Sequence, residues 1–289
     1  MSTYGPMDSG IRNSIVCDLR SDTVTCPDDA MRSAMAAAEV GDDVYGEDPS
    51  IIALEYRMAG LLGKDAAMFV SSGTQSNLCA IMAHCGRGDE LIVGDAYHIY
   101  ADEAAGASVL AGVSMHAIPV DDGNAVSAEQ VKGAVKDDDP HYARSRLLCL
   151  ENTVGGKAIS LEKMRSPAQA AWDAGLSVHL DGARFFNAVT ELKCIAKELA
   201  DCADSVSVCF SKGLGAPVGS ILVGSHAIIA RARRNRKILG GGLRQAGVLA
   251  AAPTHAPDHH LSLVPTDHDR AAQLADALHD LDVGNVYSG

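Results

Sequence analysis

Aromatic side chains are scarce in this 289-residue sequence: one Trp, seven Tyr and four Phe, 4% in all. The core must then be filled by Ala, Val, Leu and Ile, a composition that suits Ala-rich helices over aliphatic strands. Positive charge is also in the minority. Lys and Arg number 24 against 37 Asp and Glu, a formal net charge of −13. That balance disfavours nucleic-acid and membrane-surface partners, since both present negative charge. None of the eight cysteines forms a C-x-x-C pair, so the spacing offers no zinc site and no metal site is expected. No apolar run approaches the ~18–20 residues needed to span a bilayer. Residues 1–13 are polar and lack the apolar centre of a signal peptide. We therefore expect a cytoplasmic chain with reduced thiols.

What is present is an alternation of short β-branched runs with longer Ala-rich periodic stretches, the signature of α/β architecture with a mostly parallel sheet flanked by helices. Strands are predicted near residues 67–70, 91–93, 147–150, 177–180, 206–210 and 221–223, and helices near 50–62, 75–84, 161–174, 227–238 and 270–281. Residues 1–25 read as an N-terminal arm, 26–250 as a large α/β domain, and 251–289 as the start of a smaller, incomplete C-terminal domain. The stretch from Pro253 to Pro265, with His255, His259 and His260, reads as the joining segment. One basic run, Arg231-Ala-Arg-Arg-Asn-Arg-Lys237, stands against the acidic balance; it is either a solvated helix face or an anion site.

Three local patterns carry chemistry. In Phe69-Val-Ser-Ser-Gly73-Thr74-Gln75 an apolar strand turns through small residues into a helix. Such a turn aims unpaired backbone N–H groups outward and, with the helix dipole, makes an anion site. In Leu176-Ser-Val-His-Leu-Asp181-Gly-Ala-Arg184 an apolar strand ends in an acid, at the sheet edge where α/β proteins bind ligands. In Val206-Ser-Val-Cys-Phe-Ser211-Lys212-Gly-Leu-Gly215 a strand ends in a lysine among small residues. Singly, each admits an ordinary reading: a capped turn, an Asp-Gly turn, a surface lysine. Gly213, Gly215 and Gly219 do not make a dinucleotide fingerprint, because the spacing differs and a strand follows. Together the three place a phosphate cradle, a carboxylate and an amine on one edge of one sheet. A pyridoxal 5′-phosphate (PLP) enzyme needs those parts: a lysine to hold the aldehyde as an imine and an acid to keep the pyridine nitrogen protonated.

At this point the sequence resembles the low-specificity L-threonine aldolase family, a branch of the fold-type I PLP enzymes, over nearly its whole length from Asp18. The matching stretches are Asp18-Leu-Arg-Ser21-Asp22-Thr-Val-Thr, Gly41-Asp-Asp-Val-Tyr-Gly-Glu-Asp-Pro49, Gly73-Thr-Gln-Ser-Asn77, Leu150-Glu-Asn-Thr153, Asp181-Gly-Ala-Arg184, Ser211-Lys-Gly-Leu-Gly215 and Gly240-Gly-Gly-Leu-Arg-Gln245. The resemblance implies a fold-type I PLP-dependent transferase-like fold. It implies Lys212 as the Schiff-base lysine and Asp181 as partner of the pyridine nitrogen. Gly73, Thr74 and Ser211 would hold the phosphate, with Lys237 and Arg244 reaching it from a neighbouring subunit. His98 would stack on the ring, Arg184 and Ser21 would bind the substrate carboxylate, and His141 would stand near the substrate hydroxyl. The base that takes the hydroxyl proton is left open among His98, His141 and a water.

The reaction so implied is cleavage of L-threonine, L-allo-threonine and related 3-hydroxy amino acids to glycine and an aldehyde, in a homotetramer. Family members usually continue into a small domain that supplies a further arginine for the substrate carboxylate; no stretch after residue 250 matches that segment, so the small domain is expected to be incomplete here. Three alternatives follow: a phenylserine-type aldolase, a β-eliminating amino-acid lyase, and a catalytically weak PLP-binding subunit.

Overall fold

The computed structural model describes residues 18–281. The first 17 residues of the expected arm and residues 282–289 lie outside the described residues. Seven strands, β1 (Ala66–Val70), β2 (Glu90–Gly94), β3 (Ser114–Ile118), β4 (Ser145–Glu151), β5 (Ser177–Gly182), β6 (Ser205–Cys209) and β7 (Ser220–Gly224), form one sheet in the order β1-β7-β6-β5-β4-β2-β3. Pairing is parallel from β6 to β3. Strand β7 is inserted antiparallel between β1 and β6. Every residue of β2, β6 and β7 is buried, as expected of a sheet covered by helices on both faces.

The helices, in chain order, are α1 (Asp29–Ala36), α2 (Pro49–Leu62), α3 (Gly73–His84), α4 (His98–Ala101), α5 (Ala128–Ala134), α6 (Leu161–Asp173), α7 (Phe185–Leu192), α8 (Ala196–Ala200), α9 (His226–Ile238), α10 (Gly247–His259) and α11 (Val264–Asp280). Their ends follow local chemistry. Helix α2 starts with Asp48 accepting from the Ile51 amide, has Pro49 in its first turn, and stops at Gly63 with φ +66°. Helix α3 is capped by Ser72, packs across one face of β1, β4, β5, β6 and β7, and is itself backed by α9. No helix of the described residues is long and apolar enough to cross a membrane.

The topology makes one edge special. Strands β1, β2, β4, β5 and β6 end there, and the antiparallel β7 begins there. Val70 pairs with Ser220, Ser220 with Cys209, and Glu151 with Asp181. The turns after β1, β6, β5 and β4 therefore stand side by side at about 4.8 Å per strand.

All six expected strands and all five expected helices are present. Edge strand β3, Ser-Met-His-Ala-Ile, was not expected, being polar and only partly buried. The Pro253–Pro265 stretch is not an open joining segment. Helix α10 runs through Pro253 and Pro257, a 3₁₀ turn follows at Leu261–Leu263, and Pro265 lies in the first turn of α11. Interior prolines cost a helix about 3 kcal/mol each. Here the burial of Ala250, Ala252, Pro253 and Ala256, on a helix packed against α1 and α2, offsets that cost. The boundary expected at residue 250 thus falls inside α10.

Candidate active site

The turn after β1 is open. The side chain of Ser72 accepts from the Gln75 amide, and Gln75 Oε1 accepts from both the amide and the hydroxyl of Ser71. Among the described residues, the amides of Gly73 and Thr74 find no acceptor, and Thr74 is exposed. Ser220, across from Val70, has a buried hydroxyl without a partner, 3.8 Å from where a Cβ on Gly73 would stand. An anion at this turn would meet two amides and a nearby hydroxyl.

Asp181 lies inside β5, not in an Asp-Gly turn. A Cβ on Gly182 would stand 2.7 Å from the Ser207 carbonyl of β6, so the close approach of these strands requires glycine there. The Asp181 carboxylate is 2% exposed. It accepts from the Ala183 amide at 3.0 Å and from Asn77 Nδ2 at 2.7 Å. Asn77, on the buried face of α3, also donates to Glu103 Oε1 at 2.8 Å. Its Oδ1 lies 3.1 Å from His179 Nε2; His179 Nδ1 lies 2.9 Å from Ser205 Oγ, which lies 2.9 Å from His84 Nε2. Burial pushes His179 down to about 3 and His84 to about 4, so both rings are neutral.

Lys212 follows β6, one strand from Asp181. It lines a small cavity with Arg184, Cys209 and Leu214, and the Ser211 hydroxyl meets the Cys209 sulfur at 3.3 Å. Thr25 Oγ1 donates to the Lys212 carbonyl at 2.6 Å, which ties the chain ahead of α1 to the lysine loop. Arg184 grips Asp22 through two charge-assisted bonds of 2.6 and 2.8 Å. Burial acts to raise the Asp22 carboxyl, but Arg184, the Lys212 charge and the Gly213 amide outweigh it and hold it below the ordinary range.

His98 opens α4, just beyond β2. Its backbone N–H donates to Glu151 Oε2 at 2.5 Å, and its Nδ1 lies 3.0 Å from Glu103 Oε1. That bond raises the imidazole above its ordinary value. Burial raises Glu103. Burial, and then the neighbouring Asp181, push Glu151 up to about 8. One ligand atom each of His98, Glu103 and Asp181 fall within 4.8 Å of one another, a set that could also hold a cation.

The remaining expected residues are placed elsewhere in the chain. Ser21 is exposed and caps the short 3₁₀ turn Asp22–Val24 by accepting from the Thr23 amide. His141 is exposed, paired with Asp139 at 2.6 Å, and precedes β4, so it stands at the opposite end of the sheet from Asp181. The fold does not bring it to Lys212 within one chain. Arg244 pairs with Asp42 at 3.0 Å. Lys237 is exposed in the last turn of α9, beside Gly242 of the loop that follows, and Gly241 of that loop packs against Gln75 of the turn after β1. The basic run is neither expected thing entirely. Arg236 is buried against Asp43 and the Phe69 carbonyl, Arg233 pairs with Glu55, and Arg231 donates to the Ala83 carbonyl, while Arg234 and Lys237 stay exposed.

Four residues with a place in this site had no role in the sequence reading: Asp22, Asn77, Glu103 and Glu151. Three lie within the stretches that carry the resemblance, and Glu151 closes an apolar strand just as Asp181 does. Glu103 had no signal in the sequence, since its place depends on how α4 folds back.

A mostly parallel α/β sheet, with amine, carboxylate and open helix N-terminus along its carboxyl edge, defines the fold-type I class. The family model described as beta-eliminating lyase matches residues 18–287. The low specificity L-threonine aldolase of Escherichia coli K12 is 48% identical over 263 residues, 91% of this chain and 79% of the relative. Low-specificity L-threonine aldolase 1 of Arabidopsis thaliana is 46% identical over 270 residues, 91% of this chain and 75% of its own length. Among solved structures, the threonine aldolase of Leishmania major superposes with a TM-score of 0.80 at 21% identity, covering 90% of this chain and 78% of that one. The chain belongs to the beta-eliminating lyase family, in the branch that contains the low-specificity L-threonine aldolases.

Proposed function

We propose that this chain is a PLP-dependent aldehyde-lyase that cleaves L-threonine, L-allo-threonine and related 3-hydroxy amino acids to glycine and an aldehyde. The observation that carries the reading is the order along one sheet edge: open amides at Gly73 and Thr74, Lys212 after β6, Asp181 at the end of β5. These residues fit the cofactor. The unpartnered Ser220 hydroxyl beside Gly73 suits a phosphate, and Asp181 lies one strand from Lys212 and two from Ser220, about 5 and 10 Å across the sheet. When bound, the cofactor supplies an aldehyde for the substrate amine and a ring that accepts the electrons of the broken Cα–Cβ bond.

The chain's own residues supply the rest. Lys212 would hold the cofactor through its aldehyde. Asp181, fixed by Asn77 and the Ala183 amide, holds a proton at the ring nitrogen. Arg184, whose Nε and Nη2 are held by Asp22, would offer its remaining guanidinium edge to the substrate carboxylate, with Ser21 next to Asp22 in the chain. His98, held by Glu103 and Glu151, stands over the edge and moves the hydroxyl proton. We assign His141, Lys237 and Arg244 to contacts across a homotetramer, because one chain alone leaves His141 on the far side of its sheet. That assembly rests on the resemblance, and a cytoplasmic location on the cysteine usage and the polar first residues. We also read α11, which touches the rest at α7, as the start of a smaller second unit.

The test is product analysis. Holoenzyme given L-threonine should release acetaldehyde, read through alcohol dehydrogenase, and glycine in equal amount. Ammonia with 2-oxobutanoate in place of glycine would overturn the reading.

A further inference from the structure

The histidines of the Pro253–Pro265 stretch take no part in the site described above, yet the fold gathers them. Helix α10 places His255 and His259 one turn apart, their rings stacked at 4.0 Å. His260 follows, its ring 6.0 Å from that of His255. Facing them is Asp28, the N-cap of α1. Its Oδ1 accepts from the Met31 amide at 2.7 Å, which leaves Oδ2 to meet His260 Nε2 at 3.2 Å. One ligand atom each from Asp28, His255 and His260 lie within 4.8 Å of one another. The His260 side chain is only 13% exposed. Its ring lies 3.2 Å from the position a Cβ on Gly215 would occupy.

We propose that Asp28, His255 and His260 form a binding site for a divalent transition-metal ion of the zinc class, with His259 beside it. Two imidazoles and one carboxylate are the ligands that Zn²⁺, Ni²⁺ or Cu²⁺ prefer; Ca²⁺ and Mg²⁺ take oxygen sets. Bonds of about 2.0–2.1 Å place neighbouring ligands of a tetrahedral ion roughly 3.4 Å apart. The Asp28–His260 separation already matches that edge, and His255 has a side chain's rotation to make. The Met31 amide orients the carboxylate, as an outer partner does in a built metal site. The neighbouring acid Asp258 is occupied by Arg57 and does not compete.

The location gives the site a consequence. Gly215, against which His260 rests, is in the loop that carries Lys212, and Thr25, three residues before Asp28, binds the Lys212 carbonyl. An ion here joins the start of α1 to the end of α10 directly behind that loop, without entering the candidate active site.

Untagged holoenzyme, freed of adventitious metal, should bind one Zn²⁺ per chain by titration calorimetry and elemental analysis, and its thermal midpoint should rise with Zn²⁺. His255→Gln and Asp28→Asn should each weaken binding by at least about 100-fold and abolish the thermal shift. Asparagine caps a helix as well as aspartate, so the second variant keeps α1 folded. Absence of stoichiometric Zn²⁺ binding, unchanged affinity in either variant, or equal affinity for Ca²⁺ would overturn the proposal.

Discussion

Asn77 holds Asp181: the amide nitrogen of the first lies 2.7 Å from Oδ2 of the second, and the same nitrogen reaches Glu103. That geometry fixes the hydrogen-bond direction of everything behind it. With both Nδ2 protons given to carboxylates, Asn77 Oδ1 must accept from His179 Nε2–H. The Ser205 hydroxyl then donates to His179 Nδ1 and accepts from His84 Nε2–H. The buried chain has one consistent polarity, and it ends on the Asp181 carboxylate.

Removing the hub should therefore be costly. Asn77→Ala leaves Asp181 Oδ2 without its donor and the His179 Nε2–H without its acceptor, at about 1–3 kcal/mol each, while Glu103 Oε1 keeps His98. Urea unfolding should show the midpoint falling with an unchanged slope. A change under about 0.5 kcal/mol would mean that the network contributes nothing to folding.

The pair His98–Glu103 should set the charge on the imidazole that we place over the cofactor. Glu103 raises His98, so His98 adds stability that is complete below its ordinary value of 6.5 and is lost as pH rises through the raised value. In Glu103→Gln the charge partner is gone, and the His98 imidazole should titrate at lower pH by NMR. A His98 titration unmoved by that substitution would remove Glu103 from the account.

Glu151 gives a pH dependence of its own. Its folded value is near 8 against an ordinary 4.5, so its contribution is fully present below pH 4.5 and drains away as pH rises to 8. The slope approaches 1.4 kcal/mol per pH unit within that window. Unfolding free energies of the cofactor-free chain should decline across it, and Glu151→Gln should flatten the decline. Equal slopes in both proteins would contradict a protonated Glu151 at neutral pH.

The main sheet was legible in the sequence because its strands are buried on both faces and read as short aliphatic runs between Gly- and Ser-rich turns. Strand β3 escaped because an edge strand needs no such run. Helix α10 escaped for a different reason. Its two prolines are local stop signals, and only burial against α1 and α2 overrides them. At the site, the residues that announce themselves stand at or just past strand ends, Asp181 in β5 and Lys212 after β6. Asn77 and Asp22 act through contacts 26 to 162 positions away in the chain, which no local pattern encodes, and Glu103 meets His98 only because α4 folds back.

The central claim is that Lys212 carries the cofactor beside Asp181. The most direct measurement is the visible absorption spectrum of the protein mixed with pyridoxal phosphate, freed of excess by gel filtration, for the natural chain and for Lys212→Ala. The natural chain should keep a band near ~420 nm, the region of a protonated imine. The variant should lose that band along with threonine cleavage. An undiminished imine band in Lys212→Ala would contradict the assignment.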